Sequence, residues 1–415
     1  MDEINKEIEK EKIGITVDEL NEIIGCLLWV DDVVLIAESA EQMQKMLDIT
    51  NQIAGKYHIE FGEAKSNVMK IGGNKDKPEF KLGEMKLKYC DKYKYLGIIF
   101  NNKENLKDHI PHLKGKTEAA YQTILSIAGN RYFNQLEMST IWTLFESIIT
   151  AIITYGSDTW TPNKTETKAI NSLMDNIIKR ILITPSTTPR EVLYMETGLL
   201  DPETISKKQR ILTDYKMQNN KIERLKNITT IKGKGSWKEI TDRTKNELKI
   251  TEQLTGKINT VKLKVKTKTK EYFEEKLKQD AKDKSKVKFY TDNNKSWKPG
   301  KRAEYMDKLY RNETSTIFRA RTRMLDIKNN FKGKYINHKC NNCKDNEKCF
   351  NCQEKLKCRA CNQVTETQEH VLNECETLHP GPGTKVSTED IFKEDPKTLR
   401  TIAHLIDNTV LKLNA

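Results

Sequence analysis

Three sets of side chains in this sequence have the types and spacing for chemistry. Toward the C-terminus, Cys358-x2-Cys361-x8-His370-x4-Cys375 offers three thiols and an imidazole. That is the number and kind of ligand that closes a tetrahedral structural Zn²⁺ site. Just before it, Cys340-x2-Cys343-x5-Cys349-x2-Cys352 offers four more thiols as a second zinc set, with His338 as a competing neighbour. Seven of the nine cysteines fall between Cys340 and Cys375. The acidic N-terminus carries no apolar signal-peptide core, so metal rather than disulfide is the expected use. In the N-terminal part, Asp31 and Asp32 stand side by side between Leu27-Leu28-Trp29-Val30 and Val33-Val34-Leu35-Ile36-Ala37. Adjacent carboxylates repel, and Asp-Asp lacks the tolerance of positive φ that makes Asn-Gly a good two-residue turn. A hard divalent cation such as Mg²⁺ would remove the conflict. A solvated acidic turn is the competing reading.

The elements that must position these groups can be read from periodicity. The runs flanking the aspartates are apolar, β-branched and too short for a helix, which predicts a β-hairpin with Asp31 and Asp32 at its tip. Ser39 and Gln42 have capping-box spacing, and Met43, Met46, Leu47, Ile53 and Ala54 then fall on one helical face. Lys65 follows in a loop. The run Tyr93-Lys94-Tyr95-Leu96-Gly97-Ile98-Ile99-Phe100 predicts a second hairpin that bends at Gly97. From about Asn105 the apolar period lengthens. Ile141, Leu144, Phe145, Ile148, Ile149, Ile152 and Ile153 predict an amphipathic helix capped at Ser139 and stopping at Tyr155-Gly156. Further helices are expected over residues 111–128, 164–182 and 204–219, with Pro185 and Pro189 in the loop between the last two. Lys262, Lys264, Lys266, Lys268 and Lys270 alternate with Val261, Leu263, Val265, Thr267 and Thr269. That alternation suggests a strand with a lysine face, against a disordered basic linker. Residues 271–282 and 391–413 read as helices. Trp237, Trp297 and Tyr305 are either stacking platforms for bases or anchors of small cores.

Composition narrows the partners. The 415 residues have room for several domains, but only 36% are hydrophobic while 32% are charged. A net charge of +13 and a pI near 9.0 suit a phosphate backbone better than a small metabolite. A generally lysine- and asparagine-rich proteome would give the same bias. The apolar run from Ile148 to Tyr155 is far short of a bilayer span, so no membrane is expected, and the chain reads as intracellular, nuclear or cytoplasmic.

The order Trp29-Val30-Asp31-Asp32, helix, Lys65 loop and Tyr93-Lys94-Tyr95-Leu96-Gly97 resembles the second half of the palm of reverse transcriptases from non-LTR (LINE-type) retrotransposons. Trp29 stands where that family has Phe or Tyr, and Gly62 where it often has Asn. The resemblance continues through Tyr155-Gly156-Ser157-Asp158-Thr159-Trp160 and Tyr194-Met195-Glu196-Thr197-Gly198-Leu199-Leu200 of the thumb. It ends at Thr365-Glu366-Thr367 before His370, as in the terminal zinc knuckle.

This resemblance implies an α+β chain. Its parts are a partial palm over residues 1–108, a helical thumb over 109–225, a basic connector over 226–335, a zinc-binding region over 336–380 and a tail helix over 381–415. Asp31 becomes a principal Mg²⁺ ligand and Asp32 a secondary one. Lys65 becomes the proton donor to the departing pyrophosphate, with a plain surface lysine as the alternative. Tyr93, Tyr95, Leu96 and Gly97 become the primer grip, and Arg319, Arg321 and Arg323 nucleic-acid contacts. The partners implied are an RNA template, a DNA primer and deoxynucleoside triphosphates. Two-metal phosphoryl transfer needs carboxylates from separate strands. Met1-Asp2-Glu3-Ile4-Asn5 resembles the segment after the family's nucleotide-pocket motif, so the first catalytic aspartate is expected upstream and this chain is expected to be inactive alone. A noncatalytic nucleic-acid-binding zinc protein derived from such an element is the alternative. No nuclease pattern follows the zinc motif.

Overall fold

The protein is described from a computed structural model covering residues 2–17, 22–73, 76–127, 136–231, 233, 235–282, 284–295, 297–298, 300–336 and 350–415. The chain divides into two compact units. The first comprises Met1–His112, Thr159–Glu166 and Arg210–Thr244, and the second the remainder.

The first unit is organised around the helix Ala40–Lys56. Ser39, in extended backbone, accepts a hydrogen bond from the Gln42 amide, while the Gln42 side chain accepts from the Glu38 amide. The first bond satisfies a donor that the first turn leaves open, and the second ties the residue before the cap to the helix. Met46, Leu47, Thr50 and Ala54 are buried, the face that the spacing predicts. Met46 packs with Ile4 and Ile8 of the helix Asp2–Lys10, with Ile13 and with Cys26. Leu47 packs with Phe80, Leu82 and Leu87. The strands form two-stranded pairings, and among the described residues these do not join into one larger sheet. Four are antiparallel, and the pairing of Asn67–Val68 with Lys88–Tyr89 is parallel.

The second unit is mainly helical. The expected helix over 141–153 is present but begins earlier, at Met138, with Glu137 and not Ser139 at its N-terminal boundary. Met138 is fully buried, which draws the first turn inward and leaves Ser139 inside the helix. The helix then widens into a π turn, Phe145–Thr150, before Ala151–Ile153 completes it. The helices at 111–128, 164–182 and 204–219 are His109–Ile127, Lys164–Ile181 and Pro202–Gln218.

The lysine run corrects the strand reading. It lies in a long helix, Ile258–Ala281, that buries Val261, Val265, Thr269, Phe273 and Leu277. An alternating strand would bury Leu263 with its two valines, yet Leu263 is 66% exposed. The fourfold apolar period, carried on past the lysines by Phe273 and Leu277, decides the conformation. Tyr305 is buried, the Trp297 indole donates to the Met195 carbonyl at 2.9 Å, and the Trp237 indole donates to Asp214 at 3.3 Å. These aromatics are anchors of the fold. The tail forms two helices, Thr388–Ile391 and Pro396–Asn414, capped by Ser387 and Asp395. Among the described residues no helix is long and apolar enough to cross a membrane.

Candidate functional site

The C-terminal cysteines and histidine converge. The ligand atoms of Cys358, Cys361, His370 and Cys375 all lie within 4.8 Å of one another. Closed tetrahedral zinc needs ligand–ligand edges of about 3.5–3.8 Å, so a modest contraction completes the site. Cys361 Sγ and His370 Nε2 are already 3.3 Å apart. Cys358, His370 and Cys375 are buried and Cys361 is partly exposed. Two short elements produce this geometry. The knuckle around Cys358 is held by an antiparallel bridge, Lys357 to Thr365, and by the Cys358 amide donating to the Val364 carbonyl at 2.8 Å. Asn362 makes the tight bend at φ +55°, a conformation Asn tolerates better than most residues. His370 opens a π turn, His370–Glu374, that brings Cys375 back under the imidazole.

The Glu366 carboxylate, fully buried, fixes the knuckle. It accepts from the Arg359 amide at 2.8 Å, from the Arg359 guanidinium at 2.8 Å and from the Lys328 amide at 2.9 Å. Arg359 lies between Cys358 and Cys361, so Glu366 orients the loop that carries two of the four ligands. Its signal in the sequence was a lone Glu between two threonines, which carries no length or period. The electrostatics separate the two thiols of the knuckle. Burial pushes the Cys358 thiol up to about 11. Burial also acts to raise Cys361, but the backbone amide of Gln363 and the His370 ring outweigh it and hold this thiol at about 6. The donor set, burial and supporting carboxylate fit a structural zinc. Of the second thiol set, Cys340, Cys343 and Cys349 lie outside the described residues. Cys352 is in the helix Phe350–Lys355, buried with Ile336 and Leu356.

In the first unit the aspartate hairpin pairs Cys26–Trp29 with Asp32–Leu35, Trp29 opposite Asp32. Its two-residue tip is therefore Val30-Asp31, a shift of one residue from the expected Asp31-Asp32 tip. Val30 takes the left-handed conformation at φ +55° and is 82% exposed. Asp32 begins the second strand, where pairing with Trp29 fixes its backbone. The second hairpin pairs Lys92–Tyr95 with Ile98–Asn101 and turns on Leu96-Gly97, both with positive φ. Gly97 suits that turn because it has no Cβ to oppose φ +85°. Burial and then the Asp32 carboxylate push the phenols of Tyr93 and Tyr95 above their ordinary range, so Asp32 lies within electrostatic reach of both. The Tyr93 hydroxyl donates to the Lys65 carbonyl at 2.6 Å. Asp32, Tyr93, Tyr95 and the Lys65 loop thus share one locality. Among the described residues, no third carboxylate, imidazole or thiol joins Asp31 and Asp32 in a ligand cluster. Two exposed carboxylates alone do not make a two-metal cage.

The three arginines are not a surface row. Arg321 is buried, paired with Glu196 at 3.1 Å, and donates to the carbonyls of Ile391 and Lys393. These contacts hold its guanidinium inside the fold and not on an exposed face. Arg323 pairs with Glu369 and lies over the Phe289 ring at 4.1 Å. Arg319 donates to the Ser315 carbonyl at 3.3 Å and to the Thr316 hydroxyl at 3.2 Å. The helix Arg311–Arg321 ends before Arg323, which takes left-handed backbone at φ +54°, so the three arginines do not share one helical face, which a count of adjacent cations does not register.

The chain is similar to a transposon-derived protein of Caenorhabditis elegans, with 25% identity over 228 residues, covering 52% of this chain and 80% of that protein. No family model matches the chain.

Proposed function

We propose that this chain is the C-terminal part of an RNA-directed DNA polymerase of a LINE-type retrotransposon, carrying a structural zinc knuckle and acting on RNA template and DNA primer. The observation that carries this reading is the gathering of Asp32, Tyr93, Tyr95 and the Lys65 loop in one unit. Those are the segments that the resemblance brings to a polymerase centre. Similarity to a transposon-derived protein supports an origin in a mobile element. In this reading Asp31 and Asp32 supply part of a Mg²⁺ site, the tyrosine hairpin grips the primer end, and Lys65 faces the leaving group. The incomplete carboxylate set favours a chain that binds nucleic acid without extending it, which is the second reading: a noncatalytic nucleic-acid-binding zinc protein from such an element.

Primer extension on an RNA template separates the two. Incorporation of deoxynucleotides that Asp31→Ala abolishes assigns catalysis to this chain. No incorporation, with binding that weakens steeply between about 50 and about 300 mM salt, assigns a binding role. Equal affinity at both salt concentrations overturns both readings.

A further inference from the structure

The second unit contains a cavity of about 680 Å³ at the C-terminal end of the helix Lys164–Ile181. Four cations line it, Lys179, Arg180, Arg319 and Lys334, with Asp326 as the one lining carboxylate. Arg180 is committed, paired with Glu118 at 2.5 Å and laid over the Tyr121 ring. Lys334 stands on the exposed rim and pairs with Asp326 at 3.6 Å. Lys179 and Arg319 are different. Among the described residues neither has an ion-pair partner. Lys179 donates to the Ser186 carbonyl at 2.6 Å, and Arg319 bonds only to Ser315 and Thr316 of its own helix. Asp407, the carboxylate acting on Arg319, accepts the Thr316 hydroxyl at 2.7 Å. Burial lowers the proton affinity of both side chains. Asp175 and Glu191 act on Lys179 and Asp407 on Arg319, but none of the three lines the cavity. The one lining carboxylate, Asp326, is paired with Lys334. The lining thus keeps an excess of positive charge held partly out of water, which an anion in the cavity offsets. Ile183, Pro185 and Phe331 supply an apolar part of the lining.

We propose that this cavity binds a phosphodiester of single-stranded nucleic acid, with Arg319 and Lys179 donating to the phosphate oxygens. The apolar part of the lining then covers the adjoining sugar and base, and Lys334 meets the next phosphate at the rim. The volume lies within the range of small-ligand sites, about 300–1,000 Å³, enough for a nucleotide unit and too small to admit a duplex. The inference rests on the proposed function only for the identity of the polymer. The anion preference comes from the cavity itself.

The test is fluorescence anisotropy of a labelled twelve-nucleotide oligothymidylate with the full chain at about 100 mM salt. The double variant Lys179→Met with Arg319→Met is compared with Lys262→Met with Lys266→Met, which removes equal charge from an exposed helix face. Zinc content and the thermal transition report folding. The cavity variant is expected to bind about 10-fold more weakly and to lower the salt slope by about 0.7–1.4, the value for one or two phosphates on a single strand. The control is expected to change affinity less than about 2-fold, since charges distant from the strand are screened. Equal loss in both variants, or none in the cavity variant, overturns the proposal. Thymidine monophosphate binding as tightly as the oligomer also overturns it, in favour of a free-nucleotide site. Wild type that binds no oligonucleotide overturns the nucleic-acid reading, and the polymer assignment with it. If the double variant does not fold, Lys334→Glu at the rim replaces it and must weaken binding by more than Lys262→Glu does.

Discussion

The Tyr93 hydroxyl reaches across 28 positions of sequence to donate to the Lys65 backbone carbonyl at 2.6 Å. This bond ties the tyrosine hairpin to the short helical turn Glu63–Lys65, so the position of the Lys65 loop depends on a side chain from another element. Tyr93→Phe keeps the ring and removes the donor. The bond is close to solvent, so water replaces it in part and the expected cost is about 0.5–1.5 kcal/mol. The urea midpoint should fall accordingly, and amide exchange at Lys65 and Ser66, which close the turn onto the Gly62 carbonyl, should quicken. Unchanged exchange at both amides would show that the turn holds itself.

Val30 at the tip of the aspartate hairpin is β-branched and left-handed. For such a residue that conformation costs about 1–2 kcal/mol, whereas Asn adopts it readily. Its side chain is mostly solvent-exposed, so little packing is lost on replacement. Val30→Asn is therefore expected to stabilise the chain by about 0.5–1 kcal/mol, read as a higher thermal midpoint. Strain of this kind persists where function requires a particular backbone. If Val30→Asn binds RNA less well while melting higher, the strain belongs to the site.

Much of this architecture was legible from local pattern, and the exceptions share a cause. The apolar face of Ala40–Lys56, both hairpins and the Cys358–Cys375 ligand set depend on short-range spacing, which sequence displays directly. The hairpin tip moved by one residue because register is fixed by cross-strand pairing of Trp29 with Asp32, which no single strand reveals. The lysine run looked like a strand because both of its periods fit over nine residues. Only Phe273 and Leu277, further along, distinguish them. Arg321 and Glu196 are 125 positions apart, so a buried pair was indistinguishable from two surface charges.

The zinc site makes a prediction with a sign. At neutral pH the Cys358 thiol, held near 11 without metal, must lose its proton when a metal binds, whereas Cys361, near 6, is largely ionised already. Binding therefore releases protons, and affinity falls as pH is lowered, most steeply once Cys361 also protonates below about pH 6. One zinc per chain is expected from this set, and Cys375→Ala should abolish it. Glu366→Gln leaves all four ligands in place but removes the charge that orients Arg359. Zinc affinity should fall by about 10–100-fold, the usual effect of losing an outer-shell partner. Chelator competition measures both, and a Glu366→Gln chain with native affinity would reduce Glu366 to a packing role.

Asp201 is the most consequential buried charge of the helical unit. Its carboxylate is fully buried, accepts from Arg190 at 2.7 Å and Lys276 at 3.1 Å, and caps the helix Pro202–Gln218 through the Thr204 amide at 2.8 Å. Burial alone would raise its pKa, but Lys276 and Arg190 outweigh burial and hold it at about 2. Asp201→Asn preserves shape and cap while leaving two partly buried cations short of charge. Breaking a buried pair costs about 3–5 kcal/mol. Arg190 retains Asp175 and Lys276 retains Glu203, so the lower end is expected. The folded pKa lies below the unfolded value of about 3.9, so this contribution is complete above about pH 4. It is lost as pH falls toward 2. Asp175 is pushed the other way by burial, but it is present in both proteins and largely cancels in their difference. Urea titrations at a series of pH values should therefore show wild type and Asp201→Asn well separated at pH 7 and converging below about pH 4. A separation that stays constant down to pH 2 would mean that the ion pairs contribute nothing beyond the hydrogen bonds that Asn retains.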